Sequence, residues 1–454
     1  MRISRYFFCL LMLTQAPAAR AQGTERALTD FLRPAVFSIT MVMVHDVVDP
    51  PAASRYYAYV MLGAYDLVSR HNQAIVRPGA FIKHYPVDSA GRAGGAGKAA
   101  ADADYDYHIA AAWSILETGR IMLPSGYLLE EEEKKFLLLL KAQRLPQSLI
   151  DRSLAAGRKA TDRIIGWSKG DRYNLLSAKL RYTPRKKDSS WYPTPPAYFE
   201  AVEPNWRIIR PMVIDSSDQF IPPPLVRFST DTASAFYHLV KEVYILSKDT
   251  GAKSVYERTI AGFWDCNPFA VTTSGHMAIG LKKISPGGHW MDIAGIAAGV
   301  AGLDFDHTVE TQTLVAVTLM DAFICCWEEK YRSNRIRPES YIDRYIDPHW
   351  QPYLQTPPFP EYTSGHSVIS TASAEVLTWL LGEQLDYRDN AEELFDITPR
   401  SFHSFREAAE EAAISRLYGG IHYRDAIVNG QVQGRALGGY ILGKLRGAGV
   451  RPLR

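Results

Sequence analysis

The distribution of proline constrains the fold of this chain more than any other sequence feature. Residues 181–227 contain nine prolines, which lack a backbone N–H, so this segment is unsuited to a long helix or a central strand. Helical patterns dominate on both sides of it, and alternating strand patterns with hairpin turns are scarce. We therefore predict a mostly α-helical chain with an N-terminal helical region at 22–180. A proline-rich connector or long ordered crossover follows at 181–227, and a C-terminal helical domain at 228–454.

The first residues have the pattern of an export signal. Arg2 and Arg5 precede an apolar run from Tyr6 to Leu13, and Ala19–Ala21 is a small-x-small cleavage sequence. A run of this length is too short for a membrane, which takes about 20 residues. We predict a signal peptide at 1–21 and a mature chain that is periplasmic or secreted, without a membrane span.

Composition excludes several classes of protein. With 46% hydrophobic residues the chain is not disordered, and 51 basic against 49 acidic side chains give no excess for holding a nucleic acid. The four cysteines are too few and too unevenly placed for a disulfide framework, and we expect Cys325 and Cys326 to be buried packing residues. Any attraction for anions must therefore come from a local cluster, and the expected partners are small molecules.

Local patterns predict individual helices with defined ends. Acidic residues begin the pattern and basic residues end it at 128–143, which matches the helix dipole. Further helical patterns cover residues 153–167, 231–247, 293–303, 306–330 and 368–381, and a last one begins at Ser404.

Three patches in the second half carry residues suited to binding an oxyanion. In the first, Lys330 lies near the end of a predicted helix, and Arg337 precedes the helix-stopping Pro338. In the second, Ser364, Gly365 and His366 begin an apolar helix, where free N–H groups and the dipole favour an anion. Each patch alone is equally consistent with a solvated helix end or an ordinary helix cap.

The third patch contains Arg416 in the last turn of a predicted helix and His422 just beyond the Gly419–Gly420 break. Alone it indicates no more than a glycine-terminated helix. Together the patches supply three cations, Lys330, Arg337 and Arg416, that offset a multiply charged oxyanion, and arginine forks suit its equatorial oxygens. His422 is then the axial ligand or nucleophile and His366 the acid–base residue.

The ordered set Lys-x6-Arg-Pro, Ser-Gly-His and Ser-Arg-x5-His resembles the signature shared by vanadium-dependent haloperoxidases and type-2 phosphatidic acid phosphatases. Trp327 and Phe359 look like the aromatic residues near the halide site of fungal haloperoxidases, and Trp264–Phe269 looks like a stretch of the bacterial ones. The resemblance implies an all-α fold of two helical bundles, with the oxyanion held mainly by the C-terminal bundle. It also implies a vanadate cofactor bound through His422, and phosphate is expected to fit the same site.

Two activities follow from this resemblance. The first is oxidation of halide by hydrogen peroxide at the vanadate, with Lys330 polarising the peroxide and Trp327 and Phe359 forming the halide pocket. The alternative is an exported acid phosphatase that works through a phosphohistidine on His422. The two aromatic residues favour the haloperoxidase, while a third possibility is an anion-binding protein without catalysis.

The sequence departs from the family pattern beside the axial histidine. The family has an aspartate four residues after it, whereas here Ala426 fills that position and Asp425 comes one residue early. Because an acceptor normally fixes the tautomer of a ligating histidine, Asp425 is the expected partner of His422, unless a backbone carbonyl takes that role. A second Ser-Gly-His triplet, at 274–276, has no cation motif at a matching distance and is predicted to be a turn or pocket wall.

Overall fold

The computed structural model describes the backbone of residues 4–86, 105–274, 277–280 and 282–454, with side chains from residue 23 onward except at 273, 274, 277 and 278. These residues form an all-α fold of two helical bundles, as predicted. The helices are α1 Ser4–His45, α2 Pro50–His71, α3 Tyr107–Met122, α4 Glu130–Ala142, α5 Gln147–Ser168, α6 Ala235–Lys248, α7 Ala252–Phe263, α8 Pro286–Ala301, α9 Phe305–Ser333, α10 Pro338–Tyr345, α11 Gly365–Leu381, α12 Phe405–Tyr418 and α13 Arg424–Ala448.

The described residues also contain two short antiparallel hairpins and several short 3₁₀ helices. Strand β1 (Val271–Ser274) pairs with β2 (Met277–Gly280), and β3 (Tyr387–Asp389) pairs with β4 (Arg400–Phe402). The sequence analysis did not identify either pair. Three or four residues per strand are too few to give a readable alternation.

The N-terminal bundle is built around α2, which is buried from Pro50 to Ser69. Asp49 caps this helix by accepting a hydrogen bond from the N–H of Ala52 at 2.9 Å. Helix α2 packs against α3, α5 and α9, so its apolar surface is covered on several sides. This packing explains why its pattern lacks the polar face of a surface helix.

Helix α9 joins the two bundles. It packs against α2 in the first and against α11 in the second, and its most apolar window is completely buried. By length and composition, α9 and the Gly23–His45 part of α1 are apolar enough to cross a membrane. In the Gly23–His45 part, 56% of the most apolar window is buried. The sequence analysis did not identify α9 as such a stretch. Packing inside the protein accounts for its apolar character.

The proline-rich segment is ordered and contributes to the core. One short 3₁₀ helix, Trp206–Ile208, interrupts its irregular course, and Trp191 and Trp206 are completely buried. In the centre of α9, the Asp321 carboxylate accepts hydrogen bonds at 2.7–3.0 Å from three consecutive N–H groups, those of residues 212–214. The segment is therefore more than the connector or crossover expected from the sequence, because its tryptophans are buried in the core.

The C-terminal bundle is held together by close contact between α11 and α13. Gly430, Gly434 and Gly438 of α13 face α11, and a Cβ on Gly434 would lie 2.5 Å from the carbonyl oxygen of Val368. Ser364 caps the start of α11, and its last residue, Leu381, precedes Gly382. The tight packing fixes the position of the α11 N-terminus.

Two sequence predictions fall largely outside the described residues. Residues 4–22 form the first part of α1, but residues 1–3 and the side chains up to residue 22 are not described. Cleavage after Ala21 therefore stays a prediction. Gly275 and His276 of the second Ser-Gly-His triplet are also outside the described residues.

Candidate oxyanion site

The residues of the three patches converge at one end of the C-terminal bundle. Helix α9 ends at Ser333, and the next residue, Asn334, adopts a left-handed conformation (φ 51°). Pro338 then starts α10. This turn returns the chain to the start of α11. The site residues therefore come from five places: Lys330 from the last turn of α9, Arg337 from the N-cap of α10, Ser364 from the N-cap of α11, Arg416 from the last turn of α12, and His422 from the loop before α13.

His422 is buried and held through both ring nitrogens. Its Nδ1 lies 2.8 Å from Glu361 Oε1, and its Nε2 lies 3.1 Å from Arg337 Nη1. A carboxylate accepts and a guanidinium donates, so these contacts assign the proton to Nδ1 and the lone pair to Nε2. Burial, and after it the charges of Arg337 and Lys330, lower the pKa of His422 well below its ordinary value. The neutral ring therefore presents Nε2 as a ligand or nucleophile.

The expected partner of His422, Asp425, does not contact it. Asp425 instead binds Arg335 with both carboxylate oxygens, at 2.6 and 2.7 Å, because it lies in the first turn of α13. Arg335 Nε also donates to Glu361 Oε2 at 2.6 Å. A buried chain of contacts thus runs from Asp425 through Arg335 and Glu361 to His422, and Glu361 has the role that the sequence analysis gave to Asp425.

Lys330 is buried and has no carboxylate among its described contacts. Its Nζ donates to the carbonyl oxygens of Pro360, Glu361 and Thr363, at 3.1, 3.2 and 2.5 Å. Burial lowers the pKa of Lys330 to about 7, and the neighbouring charge of Arg337 acts in the same direction. An anion in the site would favour the charged form of this lysine.

The two arginines retain unused binding capacity. Arg337 donates to the carbonyls of Phe359 and Ile421, yet its buried Nη2 has no hydrogen-bond partner in the part of the chain that the structure describes. Arg416 donates to Ser415 Oγ and to the carbonyl of Ala261. Burial lowers the pKa of Arg337 to about 10, and it also lowers the pKa of Arg416. An oxyanion would relieve this uncompensated positive charge.

The start of α11 contributes a hydroxyl, a glycine and a histidine. Ser364 Oγ accepts from the N–H of Ser367 at 3.4 Å, which leaves its own O–H free to donate. His366 Nε2 is buried without a hydrogen-bond partner among the described side chains and backbone. Burial, and after it Arg416, lower the pKa of His366 well below its ordinary value, so the ring is neutral.

Trp327 and Phe359 form one wall of a narrow cavity of about 40 Å³ that reaches His366, Arg416 and His422. Their ring centroids are 4.9 Å apart, and Lys330 Nζ lies 5.1 Å from the centroid of Phe359. The indole N–H of Trp327 donates to the carbonyl of Val202 in the proline-rich segment. The two rings therefore pack in the core and also line the cavity.

The described side chains fit a tetrahedral or bipyramidal oxyanion such as vanadate. Arg337 Nη2 and His366 Nε2 are buried polar atoms without a hydrogen-bond partner among the described residues, and within the same residues the buried Lys330, Arg337 and Arg416 form no salt bridge. Gly365 lies beside Trp327 and Lys330, since a Cβ on it would be in ordinary contact with both, at 3.8 and 3.9 Å. The unpaired donors and the excess positive charge are what a multiply charged anion requires.

Sequence reasoning missed two parts of the site. Glu361 stands in the second patch, but 61 residues separate it from His422, and no local pattern indicates their contact. Cys266 and Asp265 also line the cavity, from the loop after α7. The one available signal for them was the resemblance of Trp264–Phe269 to bacterial haloperoxidases.

Comparisons with known proteins point to one family. The family described as the VCPO second helical-bundle domain matches residues 345–447. A bacterial vanadium-dependent iodoperoxidase is 38% identical over 92% of this chain and 96% of its own, with a TM-score of 0.82. The holo and apo forms of a bacterial vanadium-dependent chloroperoxidase share the fold at 15% identity and a TM-score of 0.62, over 88% of this chain and 93% and 95% of theirs. A search of curated proteins gave no match.

Proposed function

This chain belongs to the vanadium-dependent haloperoxidase family, and we propose that it oxidises iodide with hydrogen peroxide at a vanadate held by His422. The observation that carries the proposal is the state of His422. Glu361 holds its Nδ1–H, so Nε2 has the lone pair, and the buried Lys330, Arg337 and Arg416 have no salt bridge to a described carboxylate. A histidine in this tautomer suits coordination of a metal centre.

The described residues divide the work of such a site. Lys330, Arg337 and Arg416 would hold the vanadate oxygens together with Ser364 and Gly365, and His422 would bind vanadium. When bound, vanadate supplies a Lewis-acidic centre that activates hydrogen peroxide toward a halide. His366 is neutral, and its Nε2 has no hydrogen-bond partner among the described residues, so this nitrogen would be available to accept a proton from hydrogen peroxide.

Iodide is the proposed halide for two reasons. The relative with 38% identity is called an iodoperoxidase, and the wall formed by Trp327 and Phe359 is apolar. Iodide is the largest and most weakly hydrated of the common halides and the easiest of them to oxidise. It therefore loses little hydration on entering a pocket with aromatic walls.

Halide oxidation measured with and without added vanadate tests the proposal. We expect vanadate-dependent oxidation of iodide that exceeds that of bromide and chloride. His422→Ala should lose vanadate retention and activity, whereas His349→Ala, at an exposed histidine, should keep both. A His422→Ala enzyme that retains vanadate and activity would overturn the assignment.

Phosphate-ester hydrolysis by the same sample tests the alternative activity. The cation cage suits phosphate as well as vanadate, since both are tetrahedral oxyanions, and we propose that phosphate competes for the site. Rapid hydrolysis without any vanadate-dependent halide oxidation would make the protein an acid phosphatase.

We also propose that the chain is exported after cleavage at Ala21. N-terminal sequencing of the mature protein tests this, and Gln22 is the expected first residue.

A further inference from the structure

A second group of ligand-type side chains lies at the wall of the same cavity. Cys266 Sγ is 3.4 Å from His289 Nδ1 and 3.6 Å from Glu392 Oε1, and the last two atoms are 3.7 Å apart. All three residues are buried, and they come from the loop after α7, from α8 and from the segment after β3. We propose that Cys266, His289 and Glu392 bind a zinc ion, at a site separate from the oxyanion site.

The three distances match a tetrahedral ion. Zinc lies about 2.3 Å from sulfur and about 2.0–2.2 Å from nitrogen or oxygen, which separates neighbouring ligand atoms by about 3.3–3.6 Å. The observed separations are 3.4, 3.6 and 3.7 Å, so an ion fits between the atoms with shifts of a few tenths of an ångström. Thiolate, imidazole and carboxylate are the ligand types that zinc takes in proteins.

The surroundings of His289 are those of a metal ligand. Its other nitrogen, Nε2, lies 2.8 Å from Asp389 Oδ2, and the ring stacks on Trp264 with centroids 4.5 Å apart. A carboxylate on the far nitrogen of a ligating histidine fixes the tautomer that leaves Nδ1 free for the ion. Asp389 is in turn held by the N–H of Ala391.

Hydrogen bonding alone satisfies this cluster poorly. A thiol has one weak proton to donate, and the 3.7 Å between His289 Nδ1 and Glu392 Oε1 is too long for a hydrogen bond. Glu392 Oε2 is buried and has no hydrogen-bond partner within the described ranges. On binding, zinc would replace the protons of the Cys266 thiol and of His289 Nδ1, and its two positive charges would offset the thiolate and the Glu392 carboxylate.

The ion would fix one wall of the catalytic cavity. Cys266 stands between Asp265 and Asn267, and all three line the cavity. Asp265 also binds Lys283, and its charge acts on Arg416. Anchoring Cys266 to α8 and to the segment after β3 therefore steadies the loop that faces the oxyanion-binding arginine. This role is that of a structural zinc, distinct from the chemistry at His422.

Elemental analysis of the full chain tests the proposal. After zinc loading and dialysis against metal-free buffer, we expect about one zinc per chain. Cys266→Ser and Glu392→Gln should each lower retention at least about tenfold. Cys325→Ser, at another buried cysteine, and Glu393→Gln, at the adjacent exposed carboxylate, should retain it. His422→Ala should also keep its zinc, which separates this site from that of the proposed function.

Cobalt substitution gives a readout that does not depend on the folding of a variant. A Co²⁺-loaded protein should show a thiolate-to-cobalt charge-transfer band in the near ultraviolet, which zinc removes on exchange. Protein without this band, with zinc below about one tenth per chain, would overturn the proposal. Full zinc retention by folded Cys266→Ser would overturn it as well.

Discussion

Glu361 decides the state of His422 at the scale of single residues. Replacing Glu361 by Gln keeps an oxygen near Nδ1 but removes the charge that makes the ring a strong ligand. We expect vanadate affinity to fall about 10–100-fold, as is usual for the partner of a ligating histidine. Equilibrium dialysis with vanadate measures this loss.

Asp425→Asn is the matched control for that change. Asp425 neutralises the same Arg335 but does not contact His422, so its loss should lower affinity much less. Circular dichroism of both variants checks that the helices remain. Equal losses would show that the ion pairs of Arg335, and not the contact with His422, set the affinity.

Lys330 gives the site a dependence on pH. Its pKa in the free protein is about 7, and a bound anion raises it, so binding is strongest when Lys330 is already charged. Affinity for vanadate should therefore fall as pH rises through 7, by up to about tenfold per unit until the pKa of the complex is reached. Vanadate itself also titrates in this range, and this affects its affinity for every variant equally. We therefore compare the ratio of the vanadate affinities of the wild type and Lys330→Met at each pH. A ratio that stays constant from about pH 6 to 9 would contradict a titrating Lys330.

The sequence predicted the charged residues of the site better than their contacts. Lys330, Arg337, Arg416 and His422 stand in motifs whose spacing places them at helix ends, and the structure brings them together. The partner of His422 was predicted wrongly because Asp425 is near in sequence. The direction of its side chain is set by α13, and its binding to Arg335 depends on packing that no local pattern contains.

At the scale of elements, the contact between α11 and α13 positions the start of α11 and with it Ser364. Gly434→Ala would place a methyl group 2.5 Å from the Val368 carbonyl, so the two helices must separate. We expect a loss of about 1–3 kcal/mol in the free energy of unfolding, measured in urea, together with weaker vanadate binding.

Gly443→Ala is the control on the same helix. A Cβ there meets nothing within 4 Å, and alanine favours a helix by up to about 1 kcal/mol, so stability should stay level or rise. If Gly434→Ala is as stable as this control and binds vanadate normally, the glycine contact does not set the position of the α11 start.

Helices with a clear charge pattern or a glycine at an end were predictable from the sequence. The pattern at 128–143 corresponds to α4, with 3₁₀ geometry just before it, and Gly382 follows the last residue of α11 as expected. The irregular segment 181–227 was harder, because prolines exclude helices and strands without indicating what the chain does instead. Its buried position depends on Asp321, which lies more than 100 residues later and holds three of its N–H groups.

At the scale of the whole molecule, the catalytic cavity is assembled from distant parts of the chain. Pro50 of the N-terminal bundle lines it together with residues of the C-terminal bundle. The proline-rich segment holds Trp327 through the carbonyl of Val202. The C-terminal patches therefore hold the proposed oxyanion ligands, while the shape of the pocket also depends on the N-terminal bundle and the proline-rich segment.

Under the proposed function, we expect the aromatic wall of Trp327 and Phe359 to determine which reaction the site catalyses. Halide oxidation needs a small apolar pocket, whereas ester hydrolysis needs room for a leaving group. Trp327→Ala combined with Phe359→Ala should weaken halide binding far more than vanadate binding, and phosphate-ester hydrolysis should stay level or rise. Steady-state kinetics with iodide and with a phosphate ester measures both effects on one sample.

Truncating two buried rings costs about 3–5 kcal/mol each, so the milder pair Trp327→Phe and Phe359→Leu tests the same wall in a folded protein. Trp206→Phe, at a buried tryptophan outside the cavity lining, controls for a general loss of stability. The milder pair should raise KM for iodide while Trp206→Phe leaves it unchanged, because only the first changes the surface that faces the halide. Equal KM values in all three proteins would show that the rings serve packing alone, and the choice between oxidation and hydrolysis would then lie with the oxyanion ligands.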